Sequence, residues 1–374
     1  HQIPAIRFKG FTDAWEQREL KEILKVNSGR DYKHLGSGSI PVYGTGGYML
    51  SVNDKLSDKD AIGIGRKGTI DKPQYLKAPF WTVDTLFFMI PLNNFDLQFL
   101  YTMTQKINWK KMDESTGVPS LSKAVIEKVN QNIPSYQEQI KIGGFFKQLD
   151  NTIALHQQKQ RQIRSLKQGF IKNLFPNNKN SAPRIRFSIF NDDWNQRNAS
   201  EIFTSVSDKN YPELPVLSAS QEKGMVLRES NGIDIKYDQK STGTYKRVLP
   251  GQFVMHLRSF QGGFAYSTIE GITSPAYTIL AFRNKEDHYP LFWKSIFSSK
   301  NFIKRLEAIT YGIRDGRSIS YADFSTLRFW IPSYEEQKQI GDFIESIDAT
   351  IAFYQRQIDM MQSLKKELLN KMFI

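Results

Sequence analysis

Arg66 and Lys67 lie inside the run Gly63-Ile64-Gly65-Arg66-Lys67-Gly68-Thr69, and residues 36–48 form a second glycine-rich run, GSGSIPVYGTGGY. Glycine tolerates positive φ and lets a backbone approach a ligand closely. A guanidinium can bond guanine O6 and N7, and either cation suits a phosphate. These residues therefore suit contact with a polyanion rather than the breaking of a bond. A third stretch, DESTGVPSLSK at 113–123, adds small hydroxyls and another cation. The candidate contacts in this half are Lys33, Tyr43, Thr45, Arg66, Lys67, Ser120 and Lys123. In the second half LSASQEKGMVLRES (217–230), HLRSFQGGFAYS (256–267) and TYGIRDGRSIS (310–320) have the same character. The candidates there are Ser220, Gln221, Arg258, Ser259, Gln261, Arg314 and Arg317, and a glutamine can bond adenine through two contacts. Any one of these loops reads equally well as a hairpin turn with solvated charges. Taken together they lean towards nucleic acid.

Catalytic patterns are hard to find. An adenine methyltransferase needs Asn/Asp-Pro-Pro-aromatic, and the nearest string, NIPSY at 132–136, lacks the second proline. GIGRKGT is not a P-loop, because Lys67 precedes Gly68 and no Gly-Lys-Ser/Thr follows. No Asp…Glu-x-Lys nuclease set or catalytic triad emerges. The five histidines have no metal-ligand spacing, and zero cysteines exclude disulfides and thiolate sites. We expect no cofactor or metal on this chain. The net charge of +13 is spread as +4 over 1–132, +6 over 133–179, +5 over 180–330 and −2 over 331–374. Positive charge on both globular blocks fits a nucleic-acid partner. No apolar run approaches the ~18–20 residues of a membrane span. With no basic-then-apolar leader pattern at its start, the chain is expected to be cytoplasmic.

What must position these loops is a unit written twice. IPSYQEQIKIGGFFKQLD begins at Ile133 and IPSYEEQKQIGDFIESID at Ile331, and over 43 positions at an offset of 198 the two stretches share 18 identities. Upstream, residues 4–23 match 183–202 at an offset of 179, sharing Arg7/Arg186, Phe8/Phe187 and Trp15/Trp194. The interiors 24–115 and 203–310 do not align by eye. Frames that agree around contents that differ suit two reading modules with different targets. Ser135-x-x-Glu138 and Ser333-x-x-Glu336 read as capping boxes, each after a proline that keeps the chain extended. Apolar residues then recur at steps of three and four. In the first copy they are Ile142, Phe146, Leu149, Ile153, Ile163, Leu166, Phe170 and Leu174; in the second they run from Ile340 to Met372. His156 and Gln160 interrupt the first seam. Each helix spans roughly 40 residues, about 60 Å, and such a seam needs a partner. The other copy is the simplest one, in an antiparallel pair; the alternative is a long helix packed on its own domain. The expected fold is α+β, with two globular blocks (1–132 and 183–330), helices at 133–175 and 331–374, a linker at 176–182 and pseudo-two-fold internal repetition.

This arrangement resembles the specificity subunit of type I restriction–modification enzymes. The carriers are the repeated Ile-Pro-x-x-x-Glu-Gln lead-in to a long helix, the two variable blocks and the duplication of the whole unit. IPVYGTGGY and GIGRKGT are similar to one class of that family's target recognition domains; VLSASQEKGMV, LRSFQGGFAYS and GITSPAY are similar to another. The resemblance implies two α/β-type domains, each reading one half of a bipartite double-stranded DNA site, with the helices setting the gap. It implies two modification subunits that methylate adenine with S-adenosylmethionine, and restriction subunits that use ATP and Mg2+. Those cofactors are expected on the partners, and this chain is expected to be non-catalytic by itself. The competing reading is a coiled-coil adaptor with two protein-binding heads.

Overall fold

The computed structural model describes residues 3–113, 115–176, 181–220, 223–231, 239–256, 263–309 and 319–374. It is mixed helix and sheet and divides into two compact units. One comprises 1–158 with 355–374, the other 159–354. The division runs through both long helices rather than at their ends, so each unit holds a stretch of each.

The first unit opens with β1 (Glu16–Glu19), α1 (Leu20–Ile23) and β2 (Leu24–Ser28). The hairpin β3 (Ser37–Gly44) and β4 (Gly47–Val52) comes next, then β5 (Ala61–Gly65), β6 (Gln74–Leu76), β7 (Trp81–Thr82) and β8 (Leu86–Pro91). The helices α2 (Leu97–Lys106) and α3 (Lys123–Glu127), strand β9 (Asn130–Ile133) and the long helix α4 (Tyr136–Leu174) complete this half of the chain. An antiparallel sheet runs in the order β2-β8-β5-β6, and a smaller one in the order β4-β3-β7. Strand β5 reads Ala-Ile-Gly-Ile-Gly and is buried along its whole length, as a central strand covered on both faces must be.

The second unit comprises β10 (Asn195–Asn198), α5 (Ala199–Ile202), β11 (Phe203–Val206), β12 (Leu217–Ser220), β13 (Gly224–Leu227) and β14 (Lys246–Val248). It continues through β15 (Phe253–Met255), β16 (Phe264–Tyr266), β17 (Gly271–Thr273), β18 (Thr278–Phe282), α6 (Pro290–Phe297), α7 (Lys300–Ile309), α8 (Tyr321–Ser325), β19 (Arg328–Ile331) and the opening part of α9 (Tyr334–Met372), whose residues from 355 onward lie in the first unit. Its main sheet is ordered β11-β18-β15-β16. That is the order of the first unit's sheet: first strand, last strand, middle strand, then the middle strand's hairpin partner. The interiors that do not align as sequence therefore share a topology.

The repeated residues explain the frame. β1 pairs with β9 from Glu16↔Ile133, and β10 pairs with β19 from Asn195↔Ile331, so the two offsets of 179 and 198 meet in one ladder made twice. Arg7 donates to both carboxylate oxygens of Glu138 at 2.7 Å, and Arg186 does the same to Glu336 at 2.8 and 2.7 Å. This corrects the capping-box reading of the glutamates. Ser333 Oγ does accept from the Glu336 N–H, at 3.3 Å, but both Glu138 and Glu336 turn their carboxylates to an arginine of the upstream repeat. The next residues are buried glutamines. Gln139 Oε1 accepts from Asp96 N at 3.0 Å, and Gln337 Oε1 from Tyr289 N at 3.1 Å. Gly143 and Gly341 allow close approach. A Cβ on Gly143 would meet Phe99 N at 2.6 Å, and one on Gly341 would meet Phe292 N at 2.8 Å.

Within the first unit α4 and the closing part of α9 run in opposite directions: Phe146 meets Phe373 with ring centroids 5.9 Å apart, and Asp150 meets Lys365 at 2.7 Å. Within the second, Gln160 Nε2 donates to Ile351 O at 3.3 Å, Lys167 pairs with Asp348 at 2.5 Å, and Phe170 meets Phe343 at 5.0 Å. Asp150 and Asp348 are repeat equivalents, as are Lys167 and Lys365, so one interaction is made once in each unit. The terminal phenylalanine of each helix enters a core. Phe373 stacks on Phe99 and meets Trp15 edge-on, and Phe175 packs against Phe292, which also meets Trp194. Two details depart from the expected seam. Leu166 and Leu364 are 60% and 45% exposed. Gln160 does not interrupt the packing but is buried within it, its amide answered by a backbone carbonyl.

Candidate nucleic-acid interface

The β3–β4 hairpin turns through Thr45 and Gly46, with Tyr43 opposite Tyr48 and Gly44 opposite Gly47. Gly47 has φ +109°, which a side chain disfavours. From β6, Gln74 Nε2 donates to the carbonyls of Gly44 and Thr45 at 2.9 and 3.2 Å and pins the tip. Beside it, β5 runs out into Arg66-Lys67-Gly68. A Cβ on Gly65 would lie 2.1 Å from Thr69 O, so the loop can double back only on glycine. Gly68 has φ +88°, and a Cβ there would lie 3.8 Å from Thr45 Oγ1, which places the two loops in contact range.

Both sides of the Arg66–Gly68 loop are clamped. Arg66 N donates to Thr85 O at 2.8 Å, Gly68 N to Pro119 O at 2.9 Å, and Leu121 N to Arg66 O at 2.9 Å; Lys67 and Ser120 form a β-bridge. Asp113 ties the third loop: its Oδ1 accepts from Ser120 N at 2.9 Å, Ser115 N at 3.0 Å and Ser115 Oγ at 2.8 Å. The Ser120 amide first, then the Ser115 hydroxyl and amide, hold this carboxyl below the usual aspartate range. The structure thus brings Thr45, Arg66, Lys67 and Ser120 together. Arg66 and Lys67 are exposed and have no acidic partner among the described residues; Arg66 lies over the Phe87 ring at 5.9 Å.

The other candidates of this half stand apart. Tyr43 is half-buried and packs in the sheet, its carbonyl accepting from Val83 N. Lys33 is exposed on the 29–36 loop, where Gly29 N donates to Leu86 O and Arg30 N to Thr82 O. The turn 82–86 thus bonds both the start of the 29–36 loop and, through Thr85 O, the Arg66 loop, and the acid it carries, Asp84, is exposed. Lys123 opens α3, which Ser122 caps, and faces Glu127 at 3.6 Å on its own helix. The residues that the sequence reading missed are the exposed Tyr48, the clamp Asp113 and the pin Gln74. Tyr48 had a signal: a two-residue turn in YGTGGY sets the two tyrosines opposite each other. Gln74 acts across some thirty residues and had none, and the bond from Ser120 to Asp113 depends on how the 113–121 stretch closes.

In the second unit Ser220 ends β12, its Oγ accepts from Lys223 N at 3.2 Å, and Gly224, its partner in the β12–β13 ladder, has φ +73°. Gln221, Arg258, Ser259, Gln261, Arg314 and Arg317 lie outside the described residues. The chain position of the arginines is still informative. The stretch with Arg258 connects β15 to β16, as the one with Arg66 connects β5 to β6. The stretch with Arg314 and Arg317 precedes α8, which Ser320 caps, as 113–121 precedes α3. No group of three or more potential metal ligands occurs, and no helix is long and apolar enough to cross a membrane, among the described residues.

Residues 12–165 match the family described as the type I restriction modification DNA specificity domain. The chain is 22% identical over 298 residues to the type I restriction enzyme MjaVIII specificity subunit of Methanocaldococcus jannaschii, spanning 74% of this chain and 68% of that protein. Its fold is similar to the S subunit of a type I restriction–modification system from M. genitalium, with a TM-score of 0.67 and 14% identity over 100% of this chain and 99% of that one. A chain from a structure concerning complex assembly and conformational transition of the type I system superposes with a TM-score of 0.52 and 14% identity, covering 96% and 97% of the two.

Proposed function

We propose, on the premise that the chain belongs to the family of type I restriction–modification DNA specificity subunits, that its two domains read the two halves of a bipartite double-stranded DNA site. The observation that carries this reading is the cluster of loops 45–46, 66–68 and 113–121, which presents two exposed cations with no acidic partner among the described residues. Arg66 and Lys67 are the proposed contacts to base edges or phosphates in the first half-site, with Thr45 and Ser120 beside them. Arg258, Gln261, Arg314 and Arg317 are the proposed counterparts in the second. Lys33 and Lys123 fit flanking phosphates. The long helices set the gap between half-sites and dock two modification subunits, with the basic, glutamine-rich stretch 156–168 as the proposed docking face. Adenine methylation from S-adenosylmethionine, and ATP- and Mg2+-dependent restriction, belong to the partner subunits; this chain supplies recognition and no catalytic group.

The test is to sequence methylated sites in DNA exposed to this chain with its modification partner, which returns both half-sites and their gap. An absence of any bipartite site would overturn the reading. The second reading, a protein-binding adaptor, makes an opposite prediction in salt. A DNA reader loses affinity steeply as salt rises, because counterions are released on binding. An adaptor has no such affinity to lose.

A further inference from the structure

Tyr48 is the exposed aromatic of this loop cluster. Its side chain is 63% exposed, yet the ring is held at two points: its edge meets Tyr43 at 6.5 Å and 75°, and its hydroxyl lies 3.2 Å from Ser51 Oγ. A scattered exposed tyrosine is ordinary; one fixed by its own hairpin has little freedom left to lose on binding. Met49, 49% exposed, is seated over Gly44, where an added Cβ would meet its Sδ at 2.8 Å. The hairpin tip is pinned by Gln74 and lies close to the loop of Arg66 and Lys67, where a Cβ added at Gly68 would be 3.8 Å from Thr45 Oγ1. A rigid ring beside unpaired cations is the combination that packs on a nucleotide while the charges hold its backbone. Charge complementarity therefore selects a nucleic acid rather than an apolar protein surface, and the proposed reading of the domain makes that occupant double-stranded DNA.

We infer that Tyr48 is an affinity anchor for the first half-site, its ring buried against a base or sugar there. This rests on the proposed reading of the domain. The ring is what matters and the hydroxyl is dispensable, because the hydroxyl is already engaged within the hairpin.

The experiment measures binding of wild type, Y48A and Y48F, each assembled with the modification partner, to three duplexes: the intact site, one with the first half scrambled and one with the second half scrambled. Loss of one stacked base contact corresponds to roughly a 5- to 150-fold weakening. Y48A should lose that much on duplexes carrying the first half-site and nothing where that half is scrambled. Y48F should stay within about twofold of wild type, since it keeps the stacking face. Retained discrimination of the second half-site by Y48A shows that the variant is folded. Y48A binding like wild type would sink the assignment of Tyr48 alone, as would an equal loss on all three duplexes. Wild type without preference among the duplexes would overturn the reading of the domain and this inference with it.

Discussion

At the scale of single residues, the cations fall into two classes that composition does not distinguish. Arg7 and Arg186 are structural, each closing a two-point pair on a glutamate that is almost wholly buried. Arg66 and Lys67 are exposed and have no acidic partner among the described residues. Substituting Arg66 with alanine should weaken discrimination at the first half-site by about 1–3 kcal/mol if its contact is a two-point base contact; a uniform loss over all sequences, measured by competition binding, would make it a phosphate contact. His288 offers a pH readout. Burial, on a ring stacked against Phe282, pushes its pKa down to about 4. A histidine whose folded pKa is depressed stabilises the fold fully above its unfolded value, ~6.5, and that stability is lost as pH falls towards 4. The melting temperature of the second unit should therefore drop on acidification from pH 6.5 to 4, and His288→Phe should flatten that slope.

The repeat shows its physical reason at the scale of elements. The Ile-Pro-Ser-Tyr-x-Glu-Gln lead-in does more than start a helix. Its glutamate draws in the arginine of the upstream repeat, its glutamine holds the backbone at the start of a domain helix that precedes it in the chain, and the glycine four residues later lets that helix press close. Removing one partner of a buried ion pair costs about 3–5 kcal/mol, so Glu138→Ala should destabilise the first unit by that order in denaturant titration. Arg7→Met together with Glu138→Leu should recover much of the loss, because the uncompensated charge is gone. Gly143→Val should cost a few kcal/mol through overpacking against Asp96 and Phe99. No comparable penalty is expected at Gly144, where a Cβ would meet nothing within 4 Å.

At the scale of the whole molecule, the prediction concerns the helices as a ruler. Each is 39 residues long, about 58 Å at 1.5 Å per residue. Inserting one heptad in both keeps the apolar seam in phase and adds about 10 Å. The preferred gap between half-sites should grow by roughly three base pairs, at 3.4 Å each, when methylated sites are sequenced. An unchanged gap would remove the ruler role while leaving half-site reading intact.

The duplicated frame was legible in the chain itself: the two offsets, the helices and their opposed directions follow from period and from the break after Phe175, because apolar periodicity and capping are local signals. The glycine-rich loops were legible as candidate contacts for the same reason. What only the tertiary structure decided is which residues meet. Asp113 accepts from the Ser120 amide, Gln74 pins a turn some thirty residues upstream, and Glu138 turns from its own helix start to Arg7. The shared strand order of two interiors with no visible likeness was equally hidden. Backbone pairing depends on extended geometry and a buried face, which many sequences satisfy, so topology persists where side-chain identity does not.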